Sequence, residues 1–186
     1  MQDVGFLLLA GGQSRRMGGG DKNQLNLGGK SVLHHILDRV DRAGAPTAIN
    51  ANGDPLRFAA YGLPVIADVV DGYAGPLAGI LTGLEWMATY HPKCTHMISL
   101  ATDAPFLPPD LAQRLYARLG SDAIIVQAQS YGQRHPVFAI WPVALAADLR
   151  QAVCNDGVRK IDHFTQRYHC GVVAFLGTPD PFLNIN

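Results

Sequence analysis

A chain of 186 residues is long enough for one domain with a substantial core and too short for two of ordinary size. Apolar residues make up 48% and charged residues 16%, which excludes a disordered or coiled-coil chain and leaves a compact, enzyme-like domain. The 15 Lys and Arg balance the 15 Asp and Glu, so no global field holds nucleic acid or an anionic membrane, and a polyanionic ligand must be gripped locally.

In chain order, Val4 to Ala10 is an apolar run stopped by Gly11-Gly12, the length of one buried parallel strand. The stretch from Gln13 to Asn23 follows, with Ser14, Arg15, Arg16, Gly18, Gly19, Gly20, Asp21 and Lys22. Ser31 is suited to cap a helix whose apolar face is Val32, Leu33, Ile36, Leu37 and Val40. Thr47 to Ala51 reads as a strand, Pro55 to Tyr61 as a short helix and Pro64 to Ala67 as a strand. Gly75-Pro76 opens an amphipathic helix carrying Leu77, Ile80, Leu81, Leu84 and Met87, with proline at the first position, where its missing N–H costs nothing. Thr95 to Ala101 is a strand, and Pro108-Pro109-Asp110 opens a helix with Leu111, Leu115 and Leu119. Strands at Ala123 to Gln127 and Val137 to Trp141 flank a polar turn at Tyr131-Gly132-Gln133. Helices near Val143 to Val153 and Asp156 to Gln166 precede a last strand, His169 to Phe175.

This alternation predicts an α/β fold, one domain over residues 1–186 with a mainly parallel sheet covered by helices on both faces. Ligands of such sheets sit beyond the carboxyl ends of the strands. Gly11-Gly12, Asn50, Asp68 and Asp103 lie at or just after predicted strand ends, so they are expected to converge on one rim.

The loop from Leu9 to Lys22 suits a triphosphate, because glycines let backbone N–H groups approach phosphate while Arg15, Arg16 and Lys22 offset its charge. Gly29-Lys30-Ser31 looks like the end of a Walker A loop, but Gln24 stands where that motif needs glycine. The glycine spacing also fails the GxGxxG pattern of dinucleotide folds. Cys94, Cys154 and Cys170 are odd in number and lack CxxC spacing, which argues against a disulfide framework and for a reducing compartment. The start, Met1 to Phe6, lacks the basic segment of a signal peptide, and no apolar run nears the roughly 20 residues of a membrane span. A cytoplasmic protein is expected.

Leu9-Ala10-Gly11-Gly12-Gln13-Ser14-Arg15-Arg16-Met17-Gly18, followed by Asp21-Lys22, resembles the signature of nucleotidyltransferases with a Rossmann-like fold. More narrowly, the chain resembles the molybdenum cofactor guanylyltransferases of the MobA-like family. That likeness rests on Gly75-Pro76-Leu77-Ala78-Gly79, Thr102-Asp103-Ala104-Pro105 with Pro108-Pro109-Asp110, His135-Pro136 and Asn184-Ile185-Asn186, taken in order over nearly the whole chain. Relatives continue past the position of Asn186 into a short helix.

The resemblance implies transfer of GMP from GTP to the terminal phosphate of molybdopterin or Mo-molybdopterin, with release of pyrophosphate. It implies a nucleotide-binding N-terminal half and an acceptor-binding C-terminal half. Leu9, Ala10, Gly11, Gly12, Gly75 and Gly79 then border the nucleotide, Arg16 and Lys22 hold phosphates, and Asn50 and Asp68 approach the guanine. Asp103 binds Mg²⁺, a hard cation that needs one or two carboxylates when phosphates and waters complete its shell. Arg134, His135, Asn184 and Asn186 line the acceptor side. Molybdenum-insertion proteins or molybdoenzyme chaperones are the implied partners.

Plainer readings stand beside these. Asp103 could cap a helix, Asp68 a turn, and Asn50 and Asn52 could be turn residues, while His135 could belong to an ordinary hairpin. For His91, Cys94 and His96 structural roles are favoured over a metal cluster. A molybdopterin cytidylyltransferase, a sugar-phosphate nucleotidyltransferase and a nucleotide-sensing module without catalysis remain alternatives.

Overall fold

The first apolar run forms β1 (Val4–Leu9), whose side chains divide between two cores. Phe6 and Leu8 pack with Val32, Leu33 and Ile36, whereas Leu7 packs with Leu77, Ile80, Leu84 and Trp141. Such alternation is the two-residue period of a strand covered on both faces. The computed structural model describes residues 1–11, 26–42, 44–70, 72, 75–120 and 123–185, with Asn26 described by its backbone.

Next come a small hairpin of β2 (Asn26–Leu27) and β3 (Lys30–Ser31), then α1 (Val32–Arg39). Gly28 and Gly29 turn the hairpin with φ of 60° and 91°, and Lys30 pairs with Asp38 at 2.7 Å, so the Walker-like triplet is a turn and a helix start. Ser31 caps α1 as expected, its Oγ accepting from the His34 N–H at 3.3 Å, and Val40 ends the helix rather than extending it. The remaining order is β4 (Thr47–Asn50), a 3₁₀ turn at Pro55–Tyr61, β5 (Val65–Ile66), α2 (Pro76–Tyr90), β6 (His96–Ala101), α3 (Leu111–Ala117), β7 (Ile125–Ser130), β8 (Gln133–Pro142), a 3₁₀ turn at Val143–Leu145, α4 (Ala146–Cys154), α5 (Ile161–Thr165) and β9 (Cys170–Phe175). The last helix is shorter than the stretch read from Asp156 to Gln166. The strands around the polar turn run right up to it, because Tyr131 and Gly132, with φ of 46° and 81°, make a two-residue hairpin turn of the type that matches strand twist.

Among the described residues seven strands form one sheet in the order β5-β4-β1-β6-β8-β7-β9. Every pairing is parallel except those of β8, which is antiparallel to both β6 and β7. Apolar residues of α1 and α3 cover one face, and those of α2, α4 and α5 cover the other. The chain moves outward from β1 to β4 and β5, then returns to β6 on the other side of β1. In open sheets of this kind such a reversal marks where a ligand crevice forms, here beyond the carboxyl end of β1.

Helix α2 lies close on the sheet because it presents Gly79 and Gly83, one turn apart. A Cβ at Gly83 would stand 2.5 Å from Leu7 Cδ2 and 2.6 Å from Met97 Sδ. At Gly79 it would collide with the Asn50 side chain and stand 2.5 Å from Leu9 Cδ2.

Candidate active site

The carboxyl ends of the four parallel strands around the crevice are tied to one another. The Ala10 N–H donates to Asn50 O at 2.9 Å, and the Thr102 hydroxyl donates to Leu9 O at 3.1 Å. Asn50, only 3% exposed, ends β4; its Nδ2 donates to Ile66 O at 3.2 Å and to Asp68 Oδ1 at 2.9 Å. Asn52, two residues on and so on the same side of an extended chain, clasps Asp68 twice. Its Nδ2 donates to Asp68 Oδ2 at 2.8 Å and its Oδ1 accepts the Asp68 N–H at 2.9 Å. One residue further, the Val69 N–H donates to Thr82 Oγ1 at 3.0 Å, and that hydroxyl donates to Ala78 O at 2.9 Å, which fastens the loop to α2.

The Asp68 carboxylate is therefore oriented, with each oxygen engaged by one amide donor. An ionised carboxylate has roughly four lone-pair sites, so accepting capacity remains on both oxygens. The two asparagines, readable from sequence as turn residues, both hold this carboxylate, and Thr82 carries no signal in the sequence. The usable signal was the i, i+2 spacing of Asn50 and Asn52 at a strand end.

Leu9 is half-buried, Ala10 buried and Gly11 exposed, in sequence at the mouth of the crevice. Gly75 precedes the first turn of α2, which has Pro76 at its start and no side-chain cap. Gly79 is buried, and its immediate role is to let α2 approach Asn50. Gly79→Ala is expected to destabilise the protein by about 1–3 kcal/mol, the usual range for overpacking, measured as a lower denaturant midpoint with an unchanged slope.

Asp103 follows β6 and is half-buried; its carbonyl oxygen accepts the Ile185 N–H at 2.8 Å. It lies well upstream of α3, whose first N–H, that of Leu111, bonds Pro108 O at 3.1 Å. Asp110 occupies the cap position without a side-chain cap bond and pairs with Arg114 at 3.7 Å. Among the described residues no group of three or more His, Cys, Asp or Glu could enclose a metal ion. The donor chemistry fits a hard cation that takes one carboxylate from the protein and its other ligands from phosphates and water.

On the far side of β6, the reversed direction of β8 puts its amino end, Gln133 to His135, on the same rim. Arg134 is exposed there. His135 Nε2 lies 2.7 Å from Ser130 Oγ, Ser130 donates to Asp180 Oδ2 at 3.0 Å, and the imidazole stacks on Phe182 with centroids 4.6 Å apart. Asn184 is exposed beside Ile185, the residue bonded to Asp103. Ser130 and Asp180 carried no sequence signal as a pair.

Burial lowers the His135 pKa from its ordinary value, against the opposing pull of the Asp180 charge. The unfolded chain therefore binds this proton first as pH falls below the ordinary imidazole value of about 6.5, so stability present above that value is lost as pH falls through the lower folded pKa. The melting temperature is expected to drop between pH 7 and pH 5, and less steeply in His135→Gln. His96 is shifted the same way by burial and contributes to the common slope, so the difference between the two proteins isolates His135.

Gly12, Arg16, Lys22 and Asn186 lie outside the described residues. His91 packs on Trp86 with centroids 4.4 Å apart, Cys94 is buried, and His96 Nδ1 lies 2.8 Å from Thr95 Oγ1. No described helix is long and apolar enough to cross a membrane.

An open α/β sheet that gathers polar groups at a switch-point crevice, beside the start of a closely packed helix, defines a nucleotide-handling protein of the Rossmann-like class. The family model described as the MobA-like NTP transferase domain matches residues 6–169, and the chain belongs to that family of nucleotidyltransferases. A relative from Rhodopseudomonas palustris (strain BisB5), named molybdenum cofactor guanylyltransferase, is 50% identical over 182 residues, which are 97% of this chain and 87% of that one. The crystal structure of molybdopterin-guanine dinucleotide biosynthesis protein A from Archaeoglobus fulgidus aligns with a TM-score of 0.71 and 21% identity, over 91% of this chain and 83% of that one. A Mycobacterium tuberculosis H37Rv protein, solved in complex with manganese, aligns with a TM-score of 0.68 and 20% identity, over 94% and 89% of the two chains.

Proposed function

We propose that this chain is a guanylyltransferase of molybdenum cofactor synthesis, moving GMP from GTP to the terminal phosphate of molybdopterin or Mo-molybdopterin. The observation that carries the base assignment is the Asp68 carboxylate, oriented at the rim by Asn50 and Asn52 with accepting capacity to spare. The match to guanylyltransferases over nearly the whole chain supports the reaction.

An oxygen of the acceptor's terminal phosphate attacks the α-phosphorus of GTP. The new P–O bond forms as the bond from that phosphorus to the α,β-bridging oxygen breaks, and pyrophosphate leaves with the electron pair. Such a displacement needs positioning and electrostatics more than covalent chemistry from the protein. The backbone at Leu9, Ala10, Gly11 and Gly12 borders the nucleotide, with Gly75 and Gly79 shaping the opposite wall. Arg16 and Lys22 hold phosphates, and Asn50 and Asp68 meet the base.

Asp103 is the residue for a divalent cation, Mg²⁺ on this reading; when bound, the ion offsets charge on the phosphate oxygens. The manganese complex of a protein with the same fold is in keeping with this choice. Arg134, His135, Asn184 and Asn186 form the acceptor side, giving residues 1–186 a nucleotide-binding N-terminal half and an acceptor-binding C-terminal half. Three free cysteines accord with a reducing cytoplasm, where molybdenum-insertion proteins or molybdoenzyme chaperones are the natural partners. Pyrophosphate release from a panel of GTP, CTP and ATP with molybdopterin tests the reading: GTP is the expected donor, and equal use of CTP overturns the guanylyl assignment.

A further inference from the structure

After β9 the chain turns back and crosses the carboxyl rim of the sheet, strand by strand, to β6. It is held at each step. The Tyr131 hydroxyl donates to Gly177 O at 2.6 Å, and Ser130, at the end of β7, donates to Asp180 Oδ2 at 3.0 Å. Asp180 closes a turn on itself, accepting the Phe182 N–H on Oδ1 and the Leu183 N–H on its carbonyl oxygen, each at 3.0 Å. Phe182, 3% exposed, is enclosed by His135, Phe138 and Phe175 at centroid distances of 4.6, 4.9 and 5.7 Å. The crossing ends where the Ile185 N–H meets Asp103 O at 2.8 Å.

We infer that this strap positions Asp103, with Phe182 as its anchor and the Ile185 N–H as its point of contact, so that loosening either weakens divalent-cation binding at Asp103 without changing the choice of nucleotide. The inference rests on Asp103 being the metal ligand. Leu183 and Asn184 alone separate anchor from contact, a reach of about 10 Å at most for extended chain, so a buried Phe182 confines the Ile185 N–H to the neighbourhood of Asp103. Asp103 follows the end of β6 and is not itself part of the sheet ladder. A bond to its carbonyl oxygen therefore limits the backbone rotation that would swing its carboxylate away. The strap's bonds described above fall on the side of the sheet from β6 to β9, whereas Asn50, Asn52 and Asp68 lie across β1, which is why base selection should be indifferent to it.

Mn²⁺ binding to the full chain, measured by electron paramagnetic resonance with a non-hydrolysable GTP analogue present, tests this. Phe182→Ala is expected to raise the Mn²⁺ dissociation constant roughly 2–10-fold, the effect of losing about one net hydrogen bond, with the GTP-to-CTP rate ratio unchanged; Phe182→Leu, which keeps apolar bulk, should recover most of the affinity. Ile185→Pro removes the donor itself while leaving the aromatic anchor in place, and should act like Phe182→Ala even if that variant does not fold. Wild-type Mn²⁺ affinity in folded Ile185→Pro, or an altered nucleotide ratio in it, overturns the strap. Asp103→Asn separates the underlying reading: undiminished Mn²⁺ binding in that variant removes the metal from Asp103, whereas lost binding there with normal binding in Ile185→Pro rejects the strap alone.

Discussion

Asp103→Asn is expected to lower turnover by roughly 10²–10³-fold, the usual effect of deleting one preorganised electrostatic contributor to charge development in a transition state. The amide keeps the size and shape of the carboxylate but lacks the charge that draws a hard cation. The fold should survive, because the amide fills the same space as the carboxylate and the Ile185 N–H to Asp103 O bond uses the main chain. GTP affinity should fall much less than turnover, since the base and phosphate contacts proposed for Asp68, Arg16 and Lys22 remain. Steady-state pyrophosphate release alongside a melting curve checks both halves. Near-wild-type turnover in a folded variant takes Asp103 out of the mechanism.

The second large effect concerns the base. Guanine offers N1–H and an exocyclic amino group side by side, and a carboxylate accepts both; cytosine and adenine cannot present that pair. Sites built on buried polar partners reject a mismatched ligand by up to about 10⁴, because the wrong ligand leaves those partners unmet. GTP should accordingly exceed CTP and ATP by a margin approaching that size at limiting concentration. Asp68→Ala should narrow the margin chiefly by slowing GTP, with part of the selectivity retained by the shape of the walls at Leu9 and Gly75 to Gly79. Asn52→Ala, which frees Asp68 Oδ2 and the Asp68 N–H from their clasp, should move the ratio the same way by less. A mutant at Asp68 that keeps full GTP preference relocates base recognition elsewhere on the rim.

Much of this architecture could be read from residue order because its signals are local. The apolar run at β1, the Ser31 cap, the proline start of α2 and the polar turn at Tyr131-Gly132 each depend on neighbours within a few positions. What escaped was long-range. The tight turn makes β8 antiparallel to β7, but no local pattern says that β6 lies on its other side, because an alternating run pairs equally well either way up. The bond from Ser130 to Asp180 spans residues that share no motif. Asn52 looked like a turn residue because its partner, Asp68, belongs to another strand's end. The rim was legible as a list of strand ends, but how Asn50, Asn52 and Asp68 hold one another required three dimensions.

The single reversed strand has a consequence for how such a protein can change over generations. Because β8 runs against its neighbours, the tight turn at Tyr131-Gly132 sits at the same edge as the crevice, yet its ladder bonds to β7 are made by residues on either side of it. Extra residues inserted at that turn extend over the proposed acceptor side without breaking a strand pairing, and exposed turn tips are where insertions are best tolerated. The strands that end at Leu9, Asn50 and Ile66 lie on the other side of β6 and are untouched by such a change. On the proposed assignment of the two sides, acceptor preference and donor preference are separately mutable, and lineages that keep one nucleotide are free to diversify what it is joined to by editing a hairpin tip.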